Sequence, residues 1–352
     1  MGIEANATLP PFTDAQIEGL LFQYRYDAKG RVIEEKAPGA AWTYYVYDQW
    51  ERLVMTRYEG QQWQGAAAWT FYKYDALNRQ IMSGQVQTDD RRAAVQEKVA
   101  GKARFEIPLQ THAGSYSVHR SFPRFPDDYS NASYDLLTID YYDQYAFIAD
   151  ADWREDLPAS AFARSLPPGF SGVPLSNALN LPTGSKVRRL GATGANQWLN
   201  TVIYYDKKRH VQQAITEHHL GGTERMTYQI NWGGELQKTL LQHISASDHV
   251  EVLNEYEYAH NGQLLKTYQT IDEGTRVLVA QYHYNALGEL TEKDLHSTDE
   301  GVSFLQAVNY RYNIQGALTG INNPASLGPD VFGMDLHYET TAPIPGLDKP
   351  QR

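Results

Sequence analysis

Aromatic and polar residues alternate in a short pattern that recurs along the chain. Its first copy reads Tyr24-Arg25-Tyr26-Asp27, with Gly30 three residues after the aspartate. Because side chains of a strand alternate between two faces, both rings of Tyr-x-Tyr lie on one face. The aspartate can accept a backbone hydrogen bond two residues on, and the glycine supplies the positive φ of a type I turn with a following bulge. Each copy therefore predicts a β-hairpin, with aromatic residues on one arm and an aliphatic residue on the other.

Eight copies of this pattern can be aligned on their second aromatic position or its aliphatic equivalent. That position falls at residues 26, 47, 74, 205, 230, 258, 284 and 312, so neighbouring copies are 21–28 residues apart except across one gap of 131 residues. A period in the twenties suits one strand pair per repeat. A single Tyr-x-Tyr pair is equally typical of an unrelated β-sandwich, but eight copies favour a repeat protein. The positions assigned to the repeat are Tyr24, Tyr26, Asp27, Gly30, Tyr45, Tyr47, Asp48, Tyr72, Tyr74, Asp75, Tyr205, Asp206, Gly234, Tyr258, Gly262, Tyr284, Gly288, Tyr312 and Gly316.

Four copies depart from the pattern at the turn. Asn78 replaces the turn glycine and tolerates the left-handed region of backbone space. Glu51 and Arg209 replace it less well, which predicts strained or different turns. Ala259 replaces the aspartate, which predicts a weaker end to that strand.

The repeats divide the chain into five segments. Residues 1–20 are interpreted as a leader or linker, 21–82 as repeats 1–3, 83–200 as an irregular insertion, 201–322 as repeats 4–8, and 323–352 as a C-terminal linker. The insertion lacks dense apolar periodicity of its own, so we expect it to pack on the repeat array and not to form a separate domain.

The insertion contains one helix-like and one strand-like stretch. The composition of Thr88–Lys102 predicts a helix, with Asp89 or Asp90 as its N-cap and Gly101 at its end. Leu136–Phe147 is rich in β-forming residues and predicts a strand.

Composition supports a strand-rich chain with an acidic surface. The 352 residues include 25 Tyr against 11 Phe, and tyrosine favours half-buried pleated surfaces. We therefore expect an all-β fold. The formal net charge of -11 argues against nucleic acid and anionic membranes as partners. No apolar run reaches the ~20 residues of a membrane span, and the N-terminus encodes no secretory signal peptide.

The residues Tyr24–Val32 resemble the signature of RHS/YD-repeat proteins. Further stretches resemble the large RHS-type cell-surface proteins of Bacteroidetes, and the resemblance covers about residues 20–345. Ala317 stands where those proteins usually carry tryptophan, so that repeat is expected to pack more loosely. The further stretches are Ile139–Asp143, Gly184–Val187, His219–Gly222 and Tyr310–Asn322.

The resemblance implies a structural function. In this family the repeats form an antiparallel strip that spirals into a hollow shell. Bacterial polymorphic toxins and insecticidal toxin complexes use the shell to enclose a C-terminal toxin, and teneurins use a similar shell in adhesion. The implied partners are further repeats and a C-terminal effector region of the same longer polypeptide, secreted or at the cell surface. No stretch matches the RHS-associated core, so autoproteolysis and toxicity are not inferred.

Candidate chemistry is sparse. Catalytic motifs are not recognisable and cysteine is absent, so we expect no enzymatic activity, no cofactor and no metal site. His218 and His219 are adjacent, so on a strand their rings point to opposite faces, and a solvated turn pair is favoured over metal ligands. The acidic residues from Asp150 to Asp156 surround Trp153, which is compatible with a glycosidase or calcium site, but a solvated acidic loop is favoured.

Three tryptophans are the weak ligand candidates: Trp42, Trp63 and Trp69. Their rings could stack on sugars, although filling the wall between repeats is the favoured interpretation. The sequence thus leaves two functions open, a shell segment and, as the alternative, a surface adhesin or glycan-binding module. It also predicts that Tyr47→Ala destabilises the array far more than a change at Lys73, which is expected to be exposed.

Overall fold

A computed structural model describes residues 19–107, 116, 120–125, 127–129, 133–149, 157–175, 177–191, 197–245 and 247–338. Within these residues the chain forms twenty strands, the helix α1 (Arg92–Lys98) and two short 3-10 helices (Ala146–Ala149 and Ala159–Phe162). The predicted all-β fold of antiparallel hairpins is confirmed. The chain divides into two compact units, residues 1–163 with 176–203 and residues 164–175 with 204–352.

In the first unit, each strand pairs antiparallel with the next, except that β4 pairs with β6 and the short β5 pairs only with β6. The strands are β1 (Gln23–Tyr26), β2 (Val32–Lys36), β3 (Thr43–Tyr47), β4 (Leu53–Tyr58), β5 (Gln62–Trp63), β6 (Ala66–Tyr74), β7 (Gln80–Gln87), β8 (Tyr134–Asp143), β9 (Ala178–Arg188) and β10 (Trp198–Tyr205).

The core of the first unit lies on one face of β3, β4 and β6. Val46, Met55 and Phe71 are fully buried there, and Val95 of α1 packs against them. The repeat pattern explains the alternation, because residues between the two aromatics of a repeat point to the opposite face from the rings. The insertion therefore covers the face of the sheet opposite to the Tyr-x-Tyr rings.

Helix α1 is shorter than predicted, and its predicted cap is wrong. It begins after Arg91, which makes no side-chain cap. Asp90 is not available as a cap, because Lys98 binds its carboxylate and Trp69 Nε1 donates to its carbonyl at 3.2 Å. The prediction for Gly101 fits better, since this residue follows the helix with φ 73°.

The predicted strand Leu136–Phe147 is correct only in its first part. Strand β8 ends at Asp143, and a 3-10 helix begins at Ala146. Asp143 has a φ of 73°, a left-handed conformation that an extended strand does not accommodate.

In the second unit, each strand from β11 to β19 pairs antiparallel with its successor. The strands are β11 (Val211–Glu217), β12 (Gly222–Ile230), β13 (Leu236–Ser245), β14 (His249–Tyr258), β15 (Leu264–Ile271), β16 (Val277–Tyr284), β17 (Leu290–Ser297), β18 (Gln306–Tyr312), β19 (Leu318–Ile321) and β20 (Met334–Asp335).

All eight repeat turns share one backbone geometry. In the first, the Gly30 amide donates to the Asp27 carbonyl at 3.0 Å, and the Asp27 amide donates to the Arg31 carbonyl at 3.0 Å. The same two bonds recur in every repeat, including the one that begins at Ala259. Glu51 and Arg209 adopt φ values of 68° and 71°, so these turns carry backbone strain but are not different in shape.

Lys73 is fully buried, so the expectation that it is exposed is wrong. Its ammonium lies 2.8 Å from Glu106 Oε1 and donates to the carbonyls of Ser121 and Pro123 at 3.1 and 2.7 Å. Segments of the insertion far away in sequence supply all of these partners. The repeat pattern around Lys73 could not reveal them.

Candidate functional site

A hydroxyl–carbonyl contact, here named the tyrosine latch, joins one repeat to the repeat before it. Tyr47 Oη donates to the Val32 carbonyl at 2.9 Å, and Tyr74 Oη donates to the Leu53 carbonyl at 2.7 Å. In the second unit Tyr284 Oη donates to the Leu264 carbonyl at 3.0 Å. In each case the acceptor is the first residue of the preceding return strand. In these three repeats the second aromatic therefore joins one repeat to the one before it.

Two latches occur outside the eight predicted repeats. Tyr142 Oη donates to the Gln80 carbonyl at 3.1 Å, which identifies the Tyr-Tyr-Asp stretch of the insertion as a working repeat start. Tyr338 Oη donates to the Leu318 carbonyl at 2.9 Å. The sequence interpretation missed Tyr338, although it lies 26 residues after Tyr312, which is one repeat period.

In the first unit an arginine connects each turn to the next latch. Arg52 pairs with the carboxylate of Asp48 at 2.7 Å, and its guanidinium lies over the ring of Tyr74 at 4.6 Å. A cation over an aromatic face is attracted by the ring quadrupole. The same arrangement recurs in the neighbouring repeats, where Arg31 joins Asp27 to Tyr47 and Arg79 joins Asp75 to Tyr142.

Arg79 binds a second carboxylate in addition to that of its own turn. Its two terminal nitrogens bind both carboxylate oxygens of Asp143 at 2.9 and 2.7 Å, in addition to the bond with Asp75. The Asp143 bond raises the pKa of Arg79 above its usual value and lowers the pKa of Asp143. Burial raises the pKa of Tyr142, so its hydroxyl remains a proton donor at neutral pH. The charged Arg79–Asp143 pair and the Tyr142 hydroxyl bond therefore both join this repeat to its neighbour.

Two turns of the second unit reverse the polarity of the turn contact. Asn231 Nδ2 donates to Glu235 Oε2 at 2.6 Å, and Asn285 Nδ2 donates to Glu289 Oε2 at 2.7 Å. The glutamate occupies the position that arginine has in the first unit. An anion cannot make the cation–ring contact, so these two turns do not offer the following tyrosine the support that arginine gives in the first unit.

Two of the three weak ligand candidates, Trp42 and Trp69, line one cleft of about 570 Å³ in the first unit. Trp63 is not among its lining residues. We call this feature the Trp42 cleft; its lining comprises Arg25, Glu34, Trp42, Tyr44, Arg57, Glu59, Trp69 and Asp89–Ala93.

The two tryptophans of the cleft differ in what they offer a ligand. Trp69 is only 1% exposed, so its ring fills the wall between repeats, as the favoured interpretation predicts. Trp42 is half-buried, and the guanidinium of Arg25 covers one of its faces at 4.7 Å. Arg57 lies 6.0 Å from the Trp69 ring, and its Nε is buried without a hydrogen-bond partner. The cleft thus combines the half-buried indole of Trp42 with a hydrogen-bond donor, Arg57 Nε, that has no partner.

The remaining candidate residues that the structure describes do not assemble into a catalytic group. His218 and His219 lie in the turn between β11 and β12, where His218 stacks on His243 at 4.5 Å and His219 is exposed. The acidic residues from Asp150 to Asp156 lie outside the described residues.

Comparison with known proteins gives distant structural similarities. No protein-family model matches the sequence, and no curated protein matches it. A crystal structure of TcdB2-TccC3-TEV matches 85% of this chain at 11% identity and a TM-score of 0.30. The Tc holotoxin pore of Photorhabdus luminescens matches 87% of this chain at 11% identity and a TM-score of 0.16. This chain spans 14% and 20% of those chains, and TM-scores this low carry no argument about its fold or function.

Proposed function

We propose that this chain is a non-enzymatic wall segment of an RHS/YD-repeat shell. The shell encloses or presents a C-terminal effector region of a longer surface or secreted protein. The observation that carries the proposal is the tyrosine latch, which recurs at Tyr47, Tyr74, Tyr142, Tyr284 and Tyr338. A single hairpin is marginally stable, so a strip of hairpins depends on contacts between neighbours.

The polar side chains of the repeats support a structural role. In the first unit the turn aspartates bind backbone amides and an arginine of their own turn; Asp48 Oδ1, for example, accepts from the amides of Trp50 and Arg52 at 2.9 Å. A carboxylate whose lone pairs are satisfied in this way is poorly placed for proton transfer. The recurring polar groups of these turns are thus committed to joining strands.

Protease protection of the effector region tests the shell proposal. The polypeptide of the complete reading frame is treated with protease, and cleavage beyond residue 352 is followed by mass spectrometry. We expect protection in the wild type and faster cleavage in Arg79→Ala, which loosens the joint between repeats. The matched control is Lys207→Ala, an exposed cation outside these contacts. Equal cleavage of that region in the intact protein and as a separately expressed fragment would contradict enclosure.

The Trp42 cleft favours a second function, binding of an oligosaccharide by a surface adhesin. Sugar rings stack on indole faces, and hydroxyl groups bind charged side chains such as Glu34 and Glu59 at the cleft. Binding to a glycan array is the direct measurement. We expect Trp42→Ala to abolish retention and Trp63→Ala, outside the cleft lining, to keep it. A wild-type chain that retains no glycan contradicts this second function without affecting the first.

A further inference from the structure

One histidine and two carboxylates converge on the hairpin of β16 and β17. His283 lies directly opposite Glu292 in the strand register, and Asp294 follows two residues later on the same face of β17. One ligand atom from each of the three side chains lies within 4.8 Å of the other two. His283 Nε2 and Asp294 Oδ2 are 2.8 Å apart. Three metal-ligating groups thus lie close enough together to bind one ion.

The repeat turn fixes this geometry. The amide of Gly288 donates to the Asn285 carbonyl at 3.0 Å, and the Asn285 amide donates to the Glu289 carbonyl at 3.0 Å. The turn sets the register of the two arms, and the register sets which side chains face each other. The three ligands are therefore organised by the fold before any ion binds, which lowers the cost of ordering them.

The imidazole of His283 lies between a carboxylate and an amide. Nε2 of His283 is 2.8 Å from the Asp294 carboxylate and 3.2 Å from Nε2 of Gln281. If Nε2 carries a proton, it can donate to the Asp294 carboxylate, but the N–H of the Gln281 amide then points at another donor. If Nε2 carries no proton, its lone pair points at the negatively charged carboxylate. A bound cation would be coordinated by the lone pair of the ring nitrogen and by an oxygen of the negatively charged carboxylate. Rotating the Gln281 amide by half a turn would also bring its oxygen towards the site.

Charge and exposure fit an ion that keeps solvent ligands. The Asp294 side chain is only 13% exposed, so its charge is partly desolvated, whereas His283 is 43% exposed and open to solvent. Two carboxylates and a neutral imidazole carry two negative charges, which a divalent ion would neutralise. Imidazole with carboxylates suits zinc and neighbouring divalent transition metals better than magnesium.

We propose that His283, Glu292 and Asp294 bind one divalent transition-metal ion, Zn²⁺ by ligand type, which cross-links β16 to β17. No sequence motif indicates this site, because the ligands are separated by a hairpin turn and their spacing matches no common zinc pattern. The proposal is independent of the shell and glycan functions, since it concerns one hairpin of the second unit.

Titration of the full chain with ZnCl₂, followed by calorimetry, tests the site. CoCl₂ is used in parallel, because its visible absorption reports ligand number and geometry. We expect one equivalent to bind with roughly micromolar affinity, as suits a three-ligand, solvent-exposed site, and His283→Gln and Glu292→Gln each to weaken binding by about tenfold or more. His249→Gln is the matched control, since His249 lies near a single carboxylate, that of Glu251, at 3.4 Å.

Three outcomes would overturn the proposal. They are a wild-type chain that binds neither ion, binding that both Gln variants retain, and binding that His249→Gln removes to the same extent. Melting temperatures of the metal-free variants establish that each one is folded. Because both substituted side chains are partly exposed, we expect these temperatures to stay close to that of the wild type.

Discussion

The two units use the same turn backbone but join successive repeats with different side chains. In the first unit an aspartate and an arginine share each turn, and the arginine reaches the next tyrosine, as Arg52 does over Tyr74. In two turns of the second unit an asparagine and a glutamate make the contact instead, at Asn231–Glu235 and Asn285–Glu289. The comparison shows that the backbone geometry of the turn stays the same while the side-chain contacts between successive repeats vary.

The units also differ in what covers the residue between the two aromatics. In the third repeat that residue is Lys73, buried beneath the insertion and paired with Glu106. In the sixth repeat it is Glu257, which is exposed. The same strand position therefore serves as core in one repeat and as surface in another, depending on the chain segments that pack there.

The largest expected effect comes from removing Lys73. Lys73→Ala removes the ammonium that pairs with the buried Glu106 carboxylate, and breaking a buried ion pair costs about 3–5 kcal/mol of unfolding free energy. Glu257→Ala, at the equivalent position of the second unit, should change it by less than about 0.5 kcal/mol. Urea unfolding followed by circular dichroism measures both. Similar losses in the two variants would refute the assignment of core and surface.

Tyr47→Ala should cost about 2–3 kcal/mol, because it removes a half-buried ring, a hydroxyl bond and the platform for Arg31. Since Lys73 is buried, the proper control is Tyr26→Ala, which removes a ring that is 57% exposed and should cost less than about 1 kcal/mol. Thermal melts of both variants decide the matter. A neutral Tyr47 variant would mean that the latch contributes nothing to stability.

Arg52→Ala should cost about 2 kcal/mol, because Asp48 is only 6% exposed and loses its charged partner while Tyr74 loses its cation contact. Glu289→Ala removes the corresponding residue of the second unit, and we expect about 0.5 kcal/mol or less, since that contact is exposed. Hydrogen exchange by unit shows where stability is lost. Equal costs would imply that both turn chemistries join repeats equally well.

The pH dependence should have opposite signs at two carboxyl groups. Burial raises the pKa of Asp140 to about 6, so the folded first unit binds this proton more tightly than the unfolded chain does. Its ionisation therefore reduces stability as the pH rises from about 4 to 6. Asp140→Asn should stabilise the protein at pH 7 by roughly 1–2 kcal/mol, allowing for partial exposure, and have little effect at pH 4.

Glu255 in the second unit is the matched case. The Lys238 hydrogen bond lowers its pKa, so its contribution is present at neutral pH and is lost as the pH falls below the usual carboxyl range. Glu255→Gln should thus destabilise the protein at pH 7 but not in acid. Melts of both variants at the two pH values check the signs, and a stabilising Glu255→Gln at pH 7 would contradict them.

The smallest expected effects concern the turns. Gly30 has a φ of 78°, so Gly30→Ala should cost about 1 kcal/mol despite the open space around it. Glu51→Gly and Arg209→Gly relieve positive φ in one turn of each unit and should each stabilise by up to about 0.5–1 kcal/mol. Precise thermal melts suffice. A gain in only one unit would show that the two turns are not equivalent.

The sequence by itself determined the hairpins. Alternation of side chains, the Asp or Asn at the strand end and the glycine three residues later act within ten residues of chain, so Tyr24–Val32 alone is enough to predict its turn. For the same reason the replacements at Glu51, Arg209 and Ala259 did not alter the turn backbone, because two backbone hydrogen bonds close it in each case. Trp69 as a wall residue also followed from the favoured interpretation.

Only the tertiary structure decided which polar groups meet. Lys73 and Glu106 are 33 residues apart, and Arg79 and Asp143 are 64 apart. In each pair the partner lies in the insertion, and the spacing of the eight predicted repeats does not indicate the pairing. The Trp42 cleft and the His283 cluster likewise depend on the register of neighbouring strands. Local sequence fixes which way a side chain points, but burial, pairing and charge balance depend on distant segments, and those segments are brought together only by the packing of the whole unit.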